Sequence, residues 1–159
     1  MNKKTLILFL LLISYSFIIR AQKITEKQKK EITIELQSTF QKNISAAENL
    51  DIQELNQAVD DRYKAGFITN GNYFPTFDSL MMGFRQNIRG INGQKINLHK
   101  KNITVLAADM ALISAVGKSD IYLNSGEMFS VAIAWTFIYK KINNNWKVIY
   151  SHQSGRKID

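Results

Sequence analysis

From Gln94 to the C-terminus the apolar residues recur every second position, whereas before Gln94 they recur every third or fourth. A chain that changes hydrophobic period once and does not change back must place its helices together and its strands together. Turn residues divide the second part. Lys95–Leu106 reads as a first long strand, Ala108-Asp109 as a turn, Met110–Leu123 as the returning strand, and Asn124-Ser125-Gly126-Glu127 as a second turn. Phe129–Ile142 follows, then the Asn143-Asn144-Asn145 loop, and Trp146–Ser154 closes the series. β-Branched and aromatic runs separated by such turns predict an antiparallel meander. Helices followed by strands, without strict alternation, predict an α+β domain whose helices pack on one face of a sheet.

The helical part carries its own punctuation. Thr25-Glu26-Lys27-Gln28 has the form of a capping box. Ile32, Leu36, Phe40, Ile44 and Ala47 then form one apolar stripe, which predicts an amphipathic helix of about six turns. Asn49-Leu50-Asp51 breaks it, and Asp51 is placed to cap a shorter helix with Leu55, Ala58 and Val59 on its apolar side. Tyr63, Ala65, Phe67 and Thr69 alternate with Lys64, Gly66, Ile68 and Asn70, which reads as a short strand before an Asn70-Gly71-Asn72 turn. Pro75-Thr76 opens a third helix whose apolar face is Phe77, Leu80, Met81, Phe84 and Ile88, with Gly90 as its stop.

Within the sheet, the Phe129–Ile142 strand is the most informative. Val131, Ile133, Trp135, Phe137 and Tyr139 share one face; Ala132, Ala134, Thr136 and Ile138 share the other. Neither run includes a charge, so the strand is expected to be central and covered on both sides. The small face is expected to receive the helices, and the large face to line a concave interior.

Residues 1–21 carry a different signal. Lys3 and Lys4 precede an apolar run from Leu6 to Ile19, and Arg20-Ala21-Gln22 leads into polar sequence. This is the pattern of a cleavable export signal, and the run is shorter than the roughly 20 apolar residues a membrane span needs. The expected organisation is a signal peptide over 1–21 and one domain over 22–159, secreted or periplasmic and not held in a membrane after cleavage. The chain has no cysteine, so neither disulfides nor a lipid-bearing cysteine enters the design.

Cleavage also changes the charge. The full chain carries +8; without Lys3, Lys4 and Arg20 there are 18 basic residues against 13 acidic ones, a net of +5. A moderate positive charge favours anionic partners at long range. Nucleic-acid binders show a clustered basic stripe with interleaved aromatics, and that is missing, so no nucleic-acid partner is expected. His99 and His152 have no acidic or cysteine partners at ligand spacing, and Gly90-Ile91-Asn92-Gly93 matches no phosphate-binding loop. Neither a metal nor an organic cofactor is expected.

Trp135-Thr136-Phe137-Ile138-Tyr139, Asn144-Asn145-Trp146-Lys147-Val148-Ile149 and His152-Gln153-Ser154, following three helices, resemble the nuclear transport factor 2-like superfamily. The SnoaL-like branch, which shares the ketosteroid-isomerase cone, looks most similar, and Gly66-Phe67-Ile68-Thr69-Asn70-Gly71 is similar to its early strand. The resemblance implies a strongly curved sheet around a pocket, capped by the helices, and commonly a homodimer through the outer sheet face. It implies no single activity, because one fold hosts many functions.

Three functional readings follow. In the first, the cone binds a small hydrophobic or amphipathic molecule, with Tyr63, Tyr122, Trp135, Phe137, Tyr150, His152 and Ser154 as the pocket. The second is a small isomerase, cyclase or dehydratase. There His152 is the candidate base, helped by a tyrosine or by Asp109, a carboxylate whose pKa an apolar cone would raise. The third is a homodimeric interaction module. Against the catalytic roles, Asp109 stands where a hairpin turn commonly has aspartate, and His152 has no carboxylate in its own segment.

Overall fold

The computed structural model describes residues 24–158; the expected signal peptide over 1–21 lies outside them. Helix α1 spans Glu26–Glu48 and starts as its sequence demands: the Thr25 hydroxyl accepts from the Gln28 amide while the Gln28 side chain accepts from the Thr25 amide. Its stripe is buried at Ile32, Leu36, Phe40 and Ile44. Each such side chain withdrawn from water contributes about 1.5–3 kcal/mol. Helix α2, Ile52–Gln57, is capped by the Asp51 carboxylate, which accepts from the Glu54 amide.

Strands β1, Phe67–Thr69, and β2, Asn72–Phe74, form a tight hairpin. Asn70 and Gly71 both take positive φ (47° and 81°), as a type I′ turn requires. Helix α3, Phe77–Asn87, follows its Thr76 cap and passes into a single 3₁₀ turn at Ile88–Gly90. Four long strands complete the chain: β3 Ile91–Ala107, β4 Met110–Leu123, β5 Met128–Ile142 and β6 Asn145–Ile158.

The six strands form one sheet in the order β2-β1-β6-β5-β4-β3. All neighbours are antiparallel except β1 and β6, which run parallel with Phe67, Ile68 and Thr69 beside Ser151, His152 and Gln153. The antiparallel expectation therefore holds for the four long strands, while the early hairpin makes the sheet mixed. The result is an α+β cone: helices pack on a curved six-stranded sheet. Its curvature has local causes. β3 is interrupted by register shifts near Asn92, His99 and Leu106, and such bulges bend and twist a strand pair. At Gly117 the backbones of β3 and β4 approach so closely that a Cβ would lie 2.3 Å from the Asn97 carbonyl oxygen.

Two packing expectations are corrected. The helices do not cover the small face of β5. They pack on the large face, where Phe40 of α1 meets Phe137 edge-on at 6.0 Å and Asn43 donates to the Tyr139 hydroxyl. Large residues on β5 and a helix stripe together fill the concave side, so a single interior serves as both core and pocket. The small face is consequently the outer one, and Ala134 is exposed there.

Candidate functional site

A cavity of about 490 Å³ opens inside the cone, between the three helices, the β1–β2 hairpin and the inner faces of β5 and β6. That is within the range of small-molecule sites. Many of its wall residues are ones that the sequence marks as helix core faces. Phe40 and Ile44 come from α1, Leu55 from α2, and Phe77, Leu80 and Phe84 from α3. On the sheet side Trp135 and Phe137 stand at a ring-centroid distance of 6.0 Å, nearly perpendicular. Phe67 of β1 packs edge-on against Phe77 at 5.4 Å, tying the hairpin to α3.

Polar groups enter this apolar wall in two places. Beside α1, Asn43 Nδ2 donates to the Tyr139 hydroxyl at 2.9 Å, and Gln94 Nε2 donates to the Ala47 carbonyl at 2.9 Å. Burial pushes the Tyr139 phenol well above its ordinary value, so it keeps its proton. Beside the hairpin, Thr69, Ser151 and Gln153 lie on adjacent strands, with Gln153 Nε2 donating to the Ser151 hydroxyl at 3.3 Å. Among the described residues the lining contains no aspartate, glutamate, lysine, arginine or histidine.

Of the residues expected to form the pocket, Trp135 and Phe137 line this cavity and the other five do not. His152 and Ser154 lie on the outer sheet face, where His152 pairs with Thr136 and Ser154 with Ala134. The cause is a β-bulge. Tyr139 pairs with Val148 and Ile138 with Tyr150, which leaves Ile149 as an extra residue. One extra residue reverses which side chains face inward. Trp146 and Val148 point into the cone before the bulge; Ser151 and Gln153 do so after it. Strict alternation carried from Trp146 to Ser154 therefore predicts the wrong face. Tyr150 is paired with Ile138 on the outer side. Tyr63 is half exposed, with Lys140 Nζ 5.9 Å from its ring centre, and Tyr122 is exposed near the far end of β4.

Asp109 sits in the β3–β4 turn, and its carboxylate takes a 2.7 Å ion pair from Lys140. His152 lies beside Thr136, four residues along β5 from Lys140, a separation of about 13 Å at strand rise. The structure does not bring these two catalytic candidates together. His99 is the bulged residue of β3 and is exposed. Of the acidic pair before β1, Asp60 is bound by Arg62 at 2.7 Å, which lowers its pKa. Asp61 accepts from the Phe77 amide at the start of α3.

The outer face carries a shallow second depression lined by Lys100, Asn102, Ser114, Val116, Thr136 and His152, among others. Among the described residues no helix lies over it. The free edge of the sheet at β3 is differently treated. Three bulges interrupt it, Lys95, Lys100 and Lys101 stand on it, and the Glu48 carboxylate accepts from the Ile96 amide at 2.8 Å. These are the devices that discourage edge-to-edge strand addition.

Solved structures share this fold at low identity. A conserved protein from Planctomyces limnophilus superposes with a TM-score of 0.67 at 15% identity, covering 81% of this chain and 99% of its own. A nuclear transport factor 2-like superfamily protein from Salmonella enterica serovar Typhimurium gives 0.66 at 16%, covering 81% and 91%. A hexachlorocyclohexane dehydrochlorinase from Novosphingobium barchaimii gives 0.64 at 12%, covering 85% and 92%. A search of curated proteins finds no match. The fold is thus that of the nuclear transport factor 2-like superfamily. Residues 32–157, from the first buried residue of α1 almost to the end of β6, match one family model: the chain belongs to the calcium/calmodulin dependent protein kinase II association domain family.

Proposed function

We propose that the protein is an exported binder of a small, largely apolar molecule, working as a homodimer. The observation that carries the binding reading is the 490 Å³ cavity, with aromatic walls and a few convergent amides and hydroxyls. Acid–base turnover needs a group of suitable pKa within hydrogen-bond reach of substrate. Among the described residues the lining offers no carboxylate or imidazole, and the Tyr139 phenol is held protonated. Binding is therefore favoured over the isomerase, cyclase or dehydratase reading, although the similar structures include two dehydrochlorinases and a putative dehydratase. Native mass spectrometry of the protein purified from its host tests the reading. The expected result is a dimer of chains beginning near Gln22 that carries a co-purifying small molecule. Dimers with an empty cavity, even after incubation with an extract of host metabolites, would count against it.

The homodimer reading is supported by the family, which is that of an association domain, and by the two exposed features of the sheet. The β3 edge is blunted, whereas the outer face presents Val116 and Ala134 without a covering helix. Face-to-face pairing is thus favoured over strand addition. Val116→Arg is expected to shift the light-scattering mass from dimer to monomer at micromolar concentration; an unchanged dimer would place the interface elsewhere.

A further inference from the structure

We propose that the cavity selects neutral molecules, and that it holds them by a hydroxyl or carbonyl group seated on the strip Thr69–Gln153–Ser151, with the apolar body against Trp135 and Phe137. The inference rests on the reading of the cavity as a binding site and names the chemistry that site accepts.

Register puts the strip together. Thr69 of β1 lies beside Gln153 of β6, and Gln153 lies beside Trp135 of β5; one pair along, Phe67, Ser151 and Phe137 stand in the same order. A polar ribbon thus runs directly alongside an aromatic wall, on the inner face of three neighbouring strands. The ribbon is held rigidly. The Asn70 amide donates to the Gln153 carbonyl at 3.0 Å, and the Gly155 amide donates to Asn70 Oδ1 at 2.8 Å.

It also has capacity to spare. Within the described residues Ser151 Oγ accepts from Gln153 Nε2, which leaves the serine proton to give, while the Gln153 side-chain oxygen and the Thr69 hydroxyl have no partner. Together they offer both donors and acceptors, which suits a hydroxyl or a carbonyl equally. A carboxylate or ammonium would find donors or acceptors but no opposite charge. Several ionic groups that adjoin lining residues in sequence are engaged elsewhere: Glu48 with Lys95, Asp60 with Arg62 and Glu54 with Lys42. A charge taken into an apolar cavity without a counter-charge is strongly disfavoured. Conversely, a site built to hydrogen-bond a polar group discriminates against analogues that lack it.

The test uses three probes of one shape: 2-naphthol, 2-naphthoate and naphthalene, titrated calorimetrically into the full mature dimer at neutral pH. 2-Naphthol is expected to bind about fivefold more tightly than either of the others, the factor that a net hydrogen bond contributes. In Ser151→Ala/Gln153→Leu, 2-naphthol is expected to fall to the affinity of naphthalene while naphthalene itself changes little, with circular dichroism verifying the fold. Naphthoate binding as tightly as naphthol would overturn the charge selectivity. Naphthol binding no better than naphthalene, or unaffected by the double variant, would overturn the polar strip but leave the cavity reading standing. Failure of all three to bind the folded protein would remove both.

Discussion

Gly117→Ala probes the element on which the cone depends. Gly117 is a buried position near the middle of β4, paired with Leu98 on one side and Ile133 on the other. An added methyl would lie 2.3 Å from the Asn97 carbonyl oxygen and 2.8 Å from the Leu98 Cα. Both are backbone atoms, so no side-chain rotation relieves the contact, and β3 must move away from β4. Overpacking of a well-filled site costs about 1–3 kcal/mol; with backbone on both sides of the clash the upper part of that range is expected. For a domain of this size such a loss lowers Tm by roughly 6–12 °C. Gly83→Ala is the matched control. Gly83 lies within α3 with nothing inside 4 Å of an added Cβ, and alanine in a helix is favoured by about 0.5–1 kcal/mol. Urea unfolding of the two variants and the parent measures both effects. The expected result is opposite signs. A Gly117→Ala variant within about 0.5 kcal/mol of the parent would refute the argument that this close approach sets the curvature.

Three further perturbations test other parts of the structure. Glu35 accepts from Lys141 at 2.7 Å and from the buried Trp146 indole at 2.8 Å, and the Lys141 hydrogen bond chiefly holds its carboxyl below the ordinary 4.5. Its ionised form therefore stabilises the fold above about pH 4.5, and that contribution disappears as pH falls through the depressed value. The stability gap between parent and Glu35→Gln, followed by thermal melts across this range, should close on acidification. The half-exposed carboxylate limits the gap to about 1 kcal/mol or less. Tyr139→Phe removes the acceptor of Asn43 and should cost about 0.5–1.5 kcal/mol in urea unfolding. Thr25→Ala removes the hydroxyl of the α1 capping box and should cost about 1 kcal/mol, with hydrogen exchange accelerated in the first turn of α1 alone.

Local chemistry was enough to read most of the elements. The α1 capping box, the Asn70-Gly71 turn, the single change of hydrophobic period and the residues of the β4 strand are all properties of neighbours in the chain. The site was less legible. Trp135 and Phe137 could be placed on an inner face because β5 alternates without interruption. The cavity residues of α1 and α3 carried a signal too, but a helix stripe reads the same whether it meets other side chains or an opening. Asn43, Gln94, Thr69, Ser151 and Gln153 carried none, since isolated amides and hydroxyls are ordinary on any surface.

What the sequence by itself determined is therefore the type of each element and the apolar face it presents, because these follow from the 3.6- and two-residue periods of the backbone. The tertiary structure alone decided which side of β6 faces inward beyond Ile149. A bulge needs no special residue: with Ile149 unpaired, β6 stays in register with β5 on both sides of the shift and pairs with β1 beyond it. That single insertion carries His152, the candidate base of the alternative catalytic reading, to the outer face and brings Ser151 and Gln153 to the cavity.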